Sequence, residues 1–192
     1  MSAEQRFSAE LPYRILTAEI PVKDYIDSYR DKERFLEYCR RCPGFGLSWA
    51  CPPFEFNPEE RLLGRENAFL IAARIEMPPG VGPQSDFREL LQPVRARLEK
   101  RLLELEEENA GLAFGFSGGC SLCGECARKR GEVCRHPEKV RPALEAYGFD
   151  VCKSMEEIFH TGLEWASGGK TPRSLTLVGA IFHNSPIHTL TF

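Results

Sequence analysis

Four cysteines stand within fifteen positions of the chain in the spacing C-x2-C-x2-C-x7-C, at Cys120, Cys123, Cys126 and Cys134. Three cysteines that repeat every third residue are typical of loops that bind an iron–sulfur cluster, with a fourth thiolate from further away. A straight helix turns by about 100° per residue, so this spacing would spread the three sulfurs over its surface. The backbone must therefore curl, and the cost is reduced by Gly118, Gly119 and Gly124.

Zinc is the alternative metal for these four thiols. All-cysteine zinc sites usually take their ligands from two separated C-x2-C pairs. A third cysteine directly after the first pair fits that arrangement less well than it fits a cluster. Free thiols without a metal are disfavoured, because crowded cysteines are prone to oxidation. We therefore predict an iron–sulfur site of the [4Fe–4S] type, with zinc as the alternative.

A second group of cysteines has the spacing C-x2-C-x8-C, at Cys39, Cys42 and Cys51. Prolines and glycines exclude regular structure from residues 39–53, although the stretch is rich in apolar side chains such as Phe45 and Trp49. Cys152 is the one thiol left to complete a second set of four. Three arrangements stay open: two separate four-thiolate sites, two clusters that exchange a ligand, or a three-cysteine site with an open position.

The length of the chain predicts a fold that does not depend on disulfides. A chain of 192 residues can bury ~70% of the surface of its unfolded form. The first residues contain no apolar signal core, and no apolar run is long enough to cross a membrane. We expect a single metal-binding domain over residues 1–192, in the reducing cytoplasm and without a membrane partner.

The charge of the chain argues against nucleic-acid binding. The formal net charge is −3, so no overall basic field is present. Cations are nevertheless frequent around the C-x2-C-x2-C-x7-C motif, at Arg128, Lys129, Arg130, Arg135, Lys139 and Arg141. They either stabilise a site that carries four thiolates or form an ordinary solvated face. Phosphate-binding loops, nucleophile elbows and H-E-x-x-H motifs are missing, so the sequence indicates no particular enzyme class.

Hydrophobic periodicity predicts an α/β fold, with a roughly four-stranded sheet covered by helices mainly on one face. The expected strands are 12–20, 67–77, 112–116 and 175–182. The expected helices run from Pro21 to Cys39, from Asn57 for a short distance, over 86–108, from Pro137 to Gly148, and from a capping box at Ser154 to about Trp165. The cysteine-rich loops 39–53 and 118–137 lie between these elements and form the metal sites.

Four motifs carry a resemblance to a known family: Cys39-x2-Cys42-Pro43-x-Phe45-Gly46-x2-Trp49-x-Cys51-Pro52-Pro53, Cys120-x2-Cys123-x2-Cys126, Cys134-Arg135-His136-Pro137 and Ala146-Tyr147-Gly148-x-Asp150-Val151. On these motifs the chain resembles, over nearly its full length, an uncharacterised prokaryotic family of predicted metal-binding proteins. Phe45 stands where tyrosine is more frequent, a change that affects packing rather than ligation. The resemblance implies metal binding but no established reaction.

The preferred hypothesis is an iron–sulfur protein that transfers electrons or supports a partner enzyme, and its expected partner is a redox protein. Its first cluster would be held by Cys120, Cys123, Cys126 and Cys134, and its second by Cys39, Cys42, Cys51 and Cys152. His136 could ligate the metal or hydrogen-bond a sulfur. The alternatives are a zinc-stabilised interaction module without redox activity and an enzyme that uses an open cluster position.

Overall fold

The computed structural model describes residues 11–165 and 170–187, and its centre is a four-stranded antiparallel sheet in the order β1-β2-β4-β3. The strands are β1 (Tyr13–Pro21), β2 (Asn67–Glu76), β3 (Leu112–Phe114) and β4 (Ser174–His183). The predicted α/β fold with four strands is confirmed. Strand β3 ends earlier than predicted because Gly115 donates its N–H to the carbonyl of Pro142 instead.

In the described part of the chain, five α-helices pack around the sheet: α1 (Val22–Tyr29), α2 (Lys32–Arg40), α3 (Pro58–Leu62), α4 (Phe87–Glu108) and α5 (Val151–Glu157). Asn57 caps α3 and Asp86 caps α4, since each side chain accepts hydrogen bonds from backbone N–H groups in the first turn. Within the described ranges, no helix is long and apolar enough to cross a membrane.

Both faces of the sheet are covered, which corrects the expectation that helices lie mainly on one face. Leu70 and Ala72 of β2 pack with residues of α1 and α5. Ile71 and Ala73 point to the other face and pack with α4, where Leu98 is fully buried. Strand β2 is buried along most of its length, as expected for a strand with apolar neighbours on both sides.

The predicted helix from Pro21 to Cys39 is in fact two helices, α1 and α2. Arg30 between them has extended backbone and pairs with Phe149, and the N–H of Asp31 donates to the carbonyl of Gly148 at 2.8 Å. Gly148 has a φ of +93°, and a Cβ there would lie 2.7 Å from the Cα of Lys32. This close approach sets the position of α2, which carries Cys39 to the site.

In the second half of the chain, the helix predicted from Pro137 to Gly148 is wrong, and the helix predicted from Ser154 has other bounds. Between Pro137 and Gly148 the chain forms turns and a single 3₁₀ turn, Leu144–Tyr147, because the Pro142–Ala143 segment lies alongside Gly115 as a parallel bridge. Helix α5 begins after Asp150, whose side chain caps it, and it ends at Glu157 rather than near Trp165. Ser154 lies inside this helix, where its hydroxyl donates to the carbonyl of Asp150 at 2.7 Å.

An ion pair joins α3 to the junction of α1 and α2. The guanidinium of Arg30 donates to both carboxylate oxygens of Glu59, at 2.6 and 2.8 Å. Together with Lys32, this arginine lowers the pKa of Glu59 to about 2. A carboxylate with a lowered pKa stabilises the fold above its ordinary pKa, and that contribution disappears as the pH falls toward 2.

We expect Glu59→Gln to lower the free energy of unfolding at pH 7 by about 1 kcal/mol, since Glu59 is partly exposed and solvent screens the pair. Urea denaturation at a series of pH values measures the effect, and the difference from wild type should shrink between about pH 4.5 and pH 2. Glu37→Gln is the control, because Glu37 pairs with Arg40 on an exposed surface. A pH-independent difference at Glu59 would contradict the ion-pair explanation.

Candidate metal centre

The two cysteine-rich loops lie against each other, and Arg128 of the second loop joins them. Its guanidinium donates to the carbonyls of Ser48 (2.9 Å), Cys51 (2.7 Å) and Pro53 in the first loop. It also lies 4.8 Å from the ring centroid of Trp49, whose indole N–H donates to the carbonyl of Glu132 at 3.0 Å. The second loop therefore contributes charge-assisted and cation–π contacts, and the first loop returns a neutral hydrogen bond from its indole.

One cavity of about 510 Å³ is lined by residues of both loops. The second loop contributes all four cysteines of the C-x2-C-x2-C-x7-C motif, Cys120, Cys123, Cys126 and Cys134. The first loop contributes the segment 43–44 and residues 47–49, including Trp49. The local spacing of the motif thus places four thiol-bearing residues around a single space.

Thiols of this cavity influence one another electrostatically. Burial raises the pKa of Cys120, a hydrogen bond from the backbone of Leu122 opposes the rise, and the charges of Glu99, Cys126 and Cys134 add to it. Deprotonating one thiol therefore makes it harder to deprotonate its neighbours. A bound cation would reverse this penalty, because metal ligation requires the thiolate form.

One sulfur also receives a hydrogen bond from its own loop. The backbone N–H of His136 donates to the Sγ of Cys134 at 3.4 Å, and the backbone of Leu122 lowers the pKa of Cys120. His136 itself lines the cavity. This bond comes from the main chain, so the roles considered for the imidazole of His136 stay predictions.

The three cysteines of the first loop are also neighbours. Burial raises the pKa of Cys39 to about 11, with further contributions from Cys51 and Cys42. A Cβ on Gly44 would lie 3.5 Å from the Sγ of Cys51 and 3.9 Å from the Sγ of Cys42, so the two sulfurs flank its bare α-carbon. Burial raises the pKa of Cys51 as well, and a hydrogen bond from Ser48 opposes the rise.

The two groups of cysteines act on each other electrostatically at Cys51 and Cys126. The negative charge of Cys126 acts on the thiol of Cys51, while the positive charge of Arg128 lowers the pKa of the same thiol. The groups are therefore adjacent parts of one region, although they are more than sixty residues apart in the sequence.

Cys152 is exposed on α5 and does not line the cavity shared by the four cysteines of the second loop. Burial raises its pKa, and the charges of Asp150, Glu145 and Glu156 add to the rise. The charge of Glu145 also raises the pKa of Cys39. The role of Cys152 as the fourth ligand beside Cys39, Cys42 and Cys51 therefore stays a prediction.

The thiols line the wall of the cavity and do not converge on one point. Within residues 11–165 and 170–187, no three histidine, cysteine, aspartate or glutamate side chains stand close enough together to hold a metal ion. Metal binding would need the sulfurs to move inward. The glycines of the second loop, with φ values of +105° at Gly118 and +81° at Gly119, give its backbone conformations that other residues rarely adopt.

Arg95 of α4 holds the start of the second loop through hydrogen bonds, a role that the sequence did not reveal. This arginine of α4 is only 6% exposed, and it donates to the carbonyls of Phe116 (2.7 Å) and Gly119 and to the carboxylate of Glu99 (2.8 Å). A Cβ on Gly118 would lie 3.1 Å from its Nη1. The sequence did contain a sign of this buried role, because Arg95 stands on the apolar face of α4, three positions before Leu98.

The two cysteine-rich loops line a common cavity in an α/β fold. Their thiols are the kind of ligand that a metal-binding protein requires. The chain belongs to the family described as "Predicted metal-binding protein (DUF2284)", whose model matches residues 25–182. The family resemblance inferred from the motifs is thereby confirmed. No curated protein and no solved structure matches the chain.

Proposed function

We propose that the protein holds iron–sulfur clusters, at least one of them of the [4Fe–4S] type, and acts in electron transfer or as a redox accessory to a partner enzyme. The ligands of the first cluster are Cys120, Cys123, Cys126 and Cys134. The observation that carries the proposal is that these four residues line one cavity, while the N–H of His136 donates to the sulfur of Cys134.

The hydrogen bonds to sulfur favour a redox role. Donors at the cysteine sulfurs, burial and nearby charge are what set the reduction potential of an iron–sulfur cluster. The main chain of His136 supplies such a donor to Cys134, and the main chain of Leu122 lowers the pKa of Cys120, so neither effect depends on a side-chain rotamer. A bound cluster would supply one-electron chemistry, and the loop would determine at which potential.

The second site is proposed at Cys39, Cys42 and Cys51. Their mutual effects on pKa support a common site, and Cys152 is not among the charges that act on Cys39 and Cys51, which favours three cysteines with an open coordination position. The electrostatic effect of Cys126 on Cys51 also supports an exchange of ligands between two clusters. Substitution of Cys152 tests whether this thiol completes the second site.

A protein redox partner in the cytoplasm is part of the proposal. Leu47, which lines the cavity, is 43% exposed, and Val133, which precedes Cys134, is 82% exposed. Apolar side chains exposed beside a redox centre provide a surface for a short-lived protein contact.

Metal and sulfide analysis of anaerobically purified protein tests the proposal. We expect iron and acid-labile sulfide in equal amounts, about four of each per [4Fe–4S] cluster, together with visible absorption that reduction bleaches. Zinc, no sulfide and a colourless protein would instead establish a zinc-stabilised module and end the redox proposal.

A further inference from the structure

A second cavity, of about 470 Å³, lies next to the metal centre. Trp49, Cys134 and Val140 line both cavities, so the two spaces share a wall that includes a proposed metal ligand. Its volume is within the range of about 300–1,000 Å³ typical of small-molecule sites. Nothing in the proposed electron-transfer role uses this space.

The charge on the cavity wall is positive. Three arginines and two glutamates line it, namely Arg61, Arg128, Arg141, Glu55 and Glu106. Arg141 is paired with Glu106 through its Nε, at 2.7 and 2.9 Å from the two carboxylate oxygens. Arg128 is occupied by the three carbonyls of the first loop.

Arg61 is the arginine of this wall that no ion pair or carbonyl group neutralises or occupies within the described residues. Its guanidinium lies 3.8 Å from the ring centroid of Phe56, which holds it in place by a cation–π contact. In the part of the chain that the structure describes, no carboxylate pairs with it. A stacked guanidinium keeps its hydrogen-bonding edge available for a planar anion.

A buried hydroxyl of the same wall has no acceptor for its proton. Tyr147 is 2% exposed, and no group of the described residues meets full hydrogen-bond geometry at its phenolic oxygen. Buried hydroxyls are nearly always bonded, so this one calls for an explanation. Burial raises the pKa of Tyr147, while the charge of Arg61 and hydrogen bonding from its guanidinium oppose the rise, so Arg61 lies beside the phenol. A guanidinium can only donate, which leaves the phenolic proton available for a ligand.

The remaining wall is aromatic. Phe54 and Phe56 are stacked with their ring centroids 4.8 Å apart, and Trp49 lies on the side of the cavity that faces the metal centre. Such rings favour a flat apolar body. The cavity thus combines a cation and a hydroxyl donor with an aromatic lining.

We propose that this cavity binds a small aromatic carboxylate. Arg61 and the hydroxyl of Tyr147 donate to the carboxylate, and the apolar body packs against Phe54 and Phe56 beside Cys134. A neutral or cationic molecule of the same shape would leave both donors without an acceptor. The site goes beyond the proposed function, because it needs neither a cluster nor electron transfer.

Calorimetric titration of the metal-loaded full chain with benzoate tests the proposal. We expect saturable binding of benzoate, with benzyl alcohol and benzylamine bound at least tenfold more weakly. Arg61→Gln should weaken benzoate binding by about tenfold or more, because a charge-assisted hydrogen bond is lost. Arg14→Gln removes the same charge from an exposed position on β1 and should leave the affinity unchanged.

Tyr147→Phe provides a second variant, which keeps the aromatic ring and its packing. No acceptor within the described part of the protein takes the proton of its hydroxyl, so its removal should leave the thermal midpoint nearly unchanged while the affinity for benzoate falls several-fold. No saturable binding at millimolar benzoate would overturn the proposal. So would equal binding by Arg61→Gln, equal loss in Arg14→Gln, or equal affinity for benzylamine. Benzoate binding by a zinc-containing protein would uphold this site while the iron–sulfur proposal fails.

Discussion

Replacing Cys123 with serine is expected to remove the iron and acid-labile sulfide of the first site and to lower the thermal midpoint of the protein. Serine is nearly isosteric with cysteine, but it cannot supply the thiolate that a metal ligand requires. Binding of a structural metal by thiolates contributes ~10–16 kcal/mol in small zinc domains. That is comparable to the total stability of a domain, about 5–15 kcal/mol, so the loss should be large. Iron and sulfide analysis and thermal unfolding measure both effects.

Cys152→Ser is the matched control for this substitution. Cys152 is exposed on α5 and lies apart from the first site, so the iron of that site should be retained. An additional loss of iron in Cys152→Ser would assign Cys152 to the second site, while unchanged iron would favour the open three-cysteine arrangement. Wild-type iron and sulfide in Cys123→Ser would contradict the proposed first site.

The sheet and the longest helix could be predicted from the sequence because their signals are local. Strand β2 is a continuous apolar run, and α4 repeats its apolar residues at helical spacing behind an aspartate cap. Prolines and glycines likewise excluded helix and strand from residues 39–53, and the structure has turns and bends over 41–53, although Cys39 and Arg40 belong to α2. Each of these elements would be expected from its own residues, whatever the rest of the chain does.

The helices that were predicted wrongly depend on distant residues. Periodicity continues across Arg30, but Phe149 and Gly148 bond the backbone there and separate α1 from α2. The segment after Pro137 is held by its bridge to Gly115 at the end of β3. Such pairings join residues that are distant in sequence, so a local pattern contains no sign of them.

The candidate site also has parts that depend on local sequence and parts that depend on distant residues. Cysteine spacing alone predicted the four cysteines that line the first cavity, because they belong to one short motif. The role of Arg128 could not be selected in this way. In the sequence it is one cation in a run that a solvated face explains equally well. Its partners, Ser48 and Cys51, lie more than seventy residues earlier.

The second large effect is expected for Arg128→Met, which should reduce both the stability of the protein and its metal content. Methionine keeps much of the apolar stem but leaves the carbonyls of Ser48, Cys51 and Pro53 without their donor. Hydrogen bonds to a charged group are worth ~1.5–3 kcal/mol each and are not additive. We therefore expect the free energy of unfolding to fall by about 2–4 kcal/mol, measured by urea denaturation.

The effect of Arg128→Met on metal follows from the thiol of Cys51. Arg128 lowers the pKa of this thiol, so without it the thiolate is less favoured and the first loop should lose metal more readily to a chelator. Arg128→Lys should lose metal at a rate between those of wild type and Arg128→Met, since lysine keeps the charge but not the planar set of donors. Arg130→Met is the control, because Arg130 pairs with Glu132 on an exposed surface and such pairs contribute about 0–1 kcal/mol. Arg128→Met could instead behave like Arg130→Met in both measurements. In that case, contact between the loops could not be what holds Cys39, Cys42 and Cys51 in place.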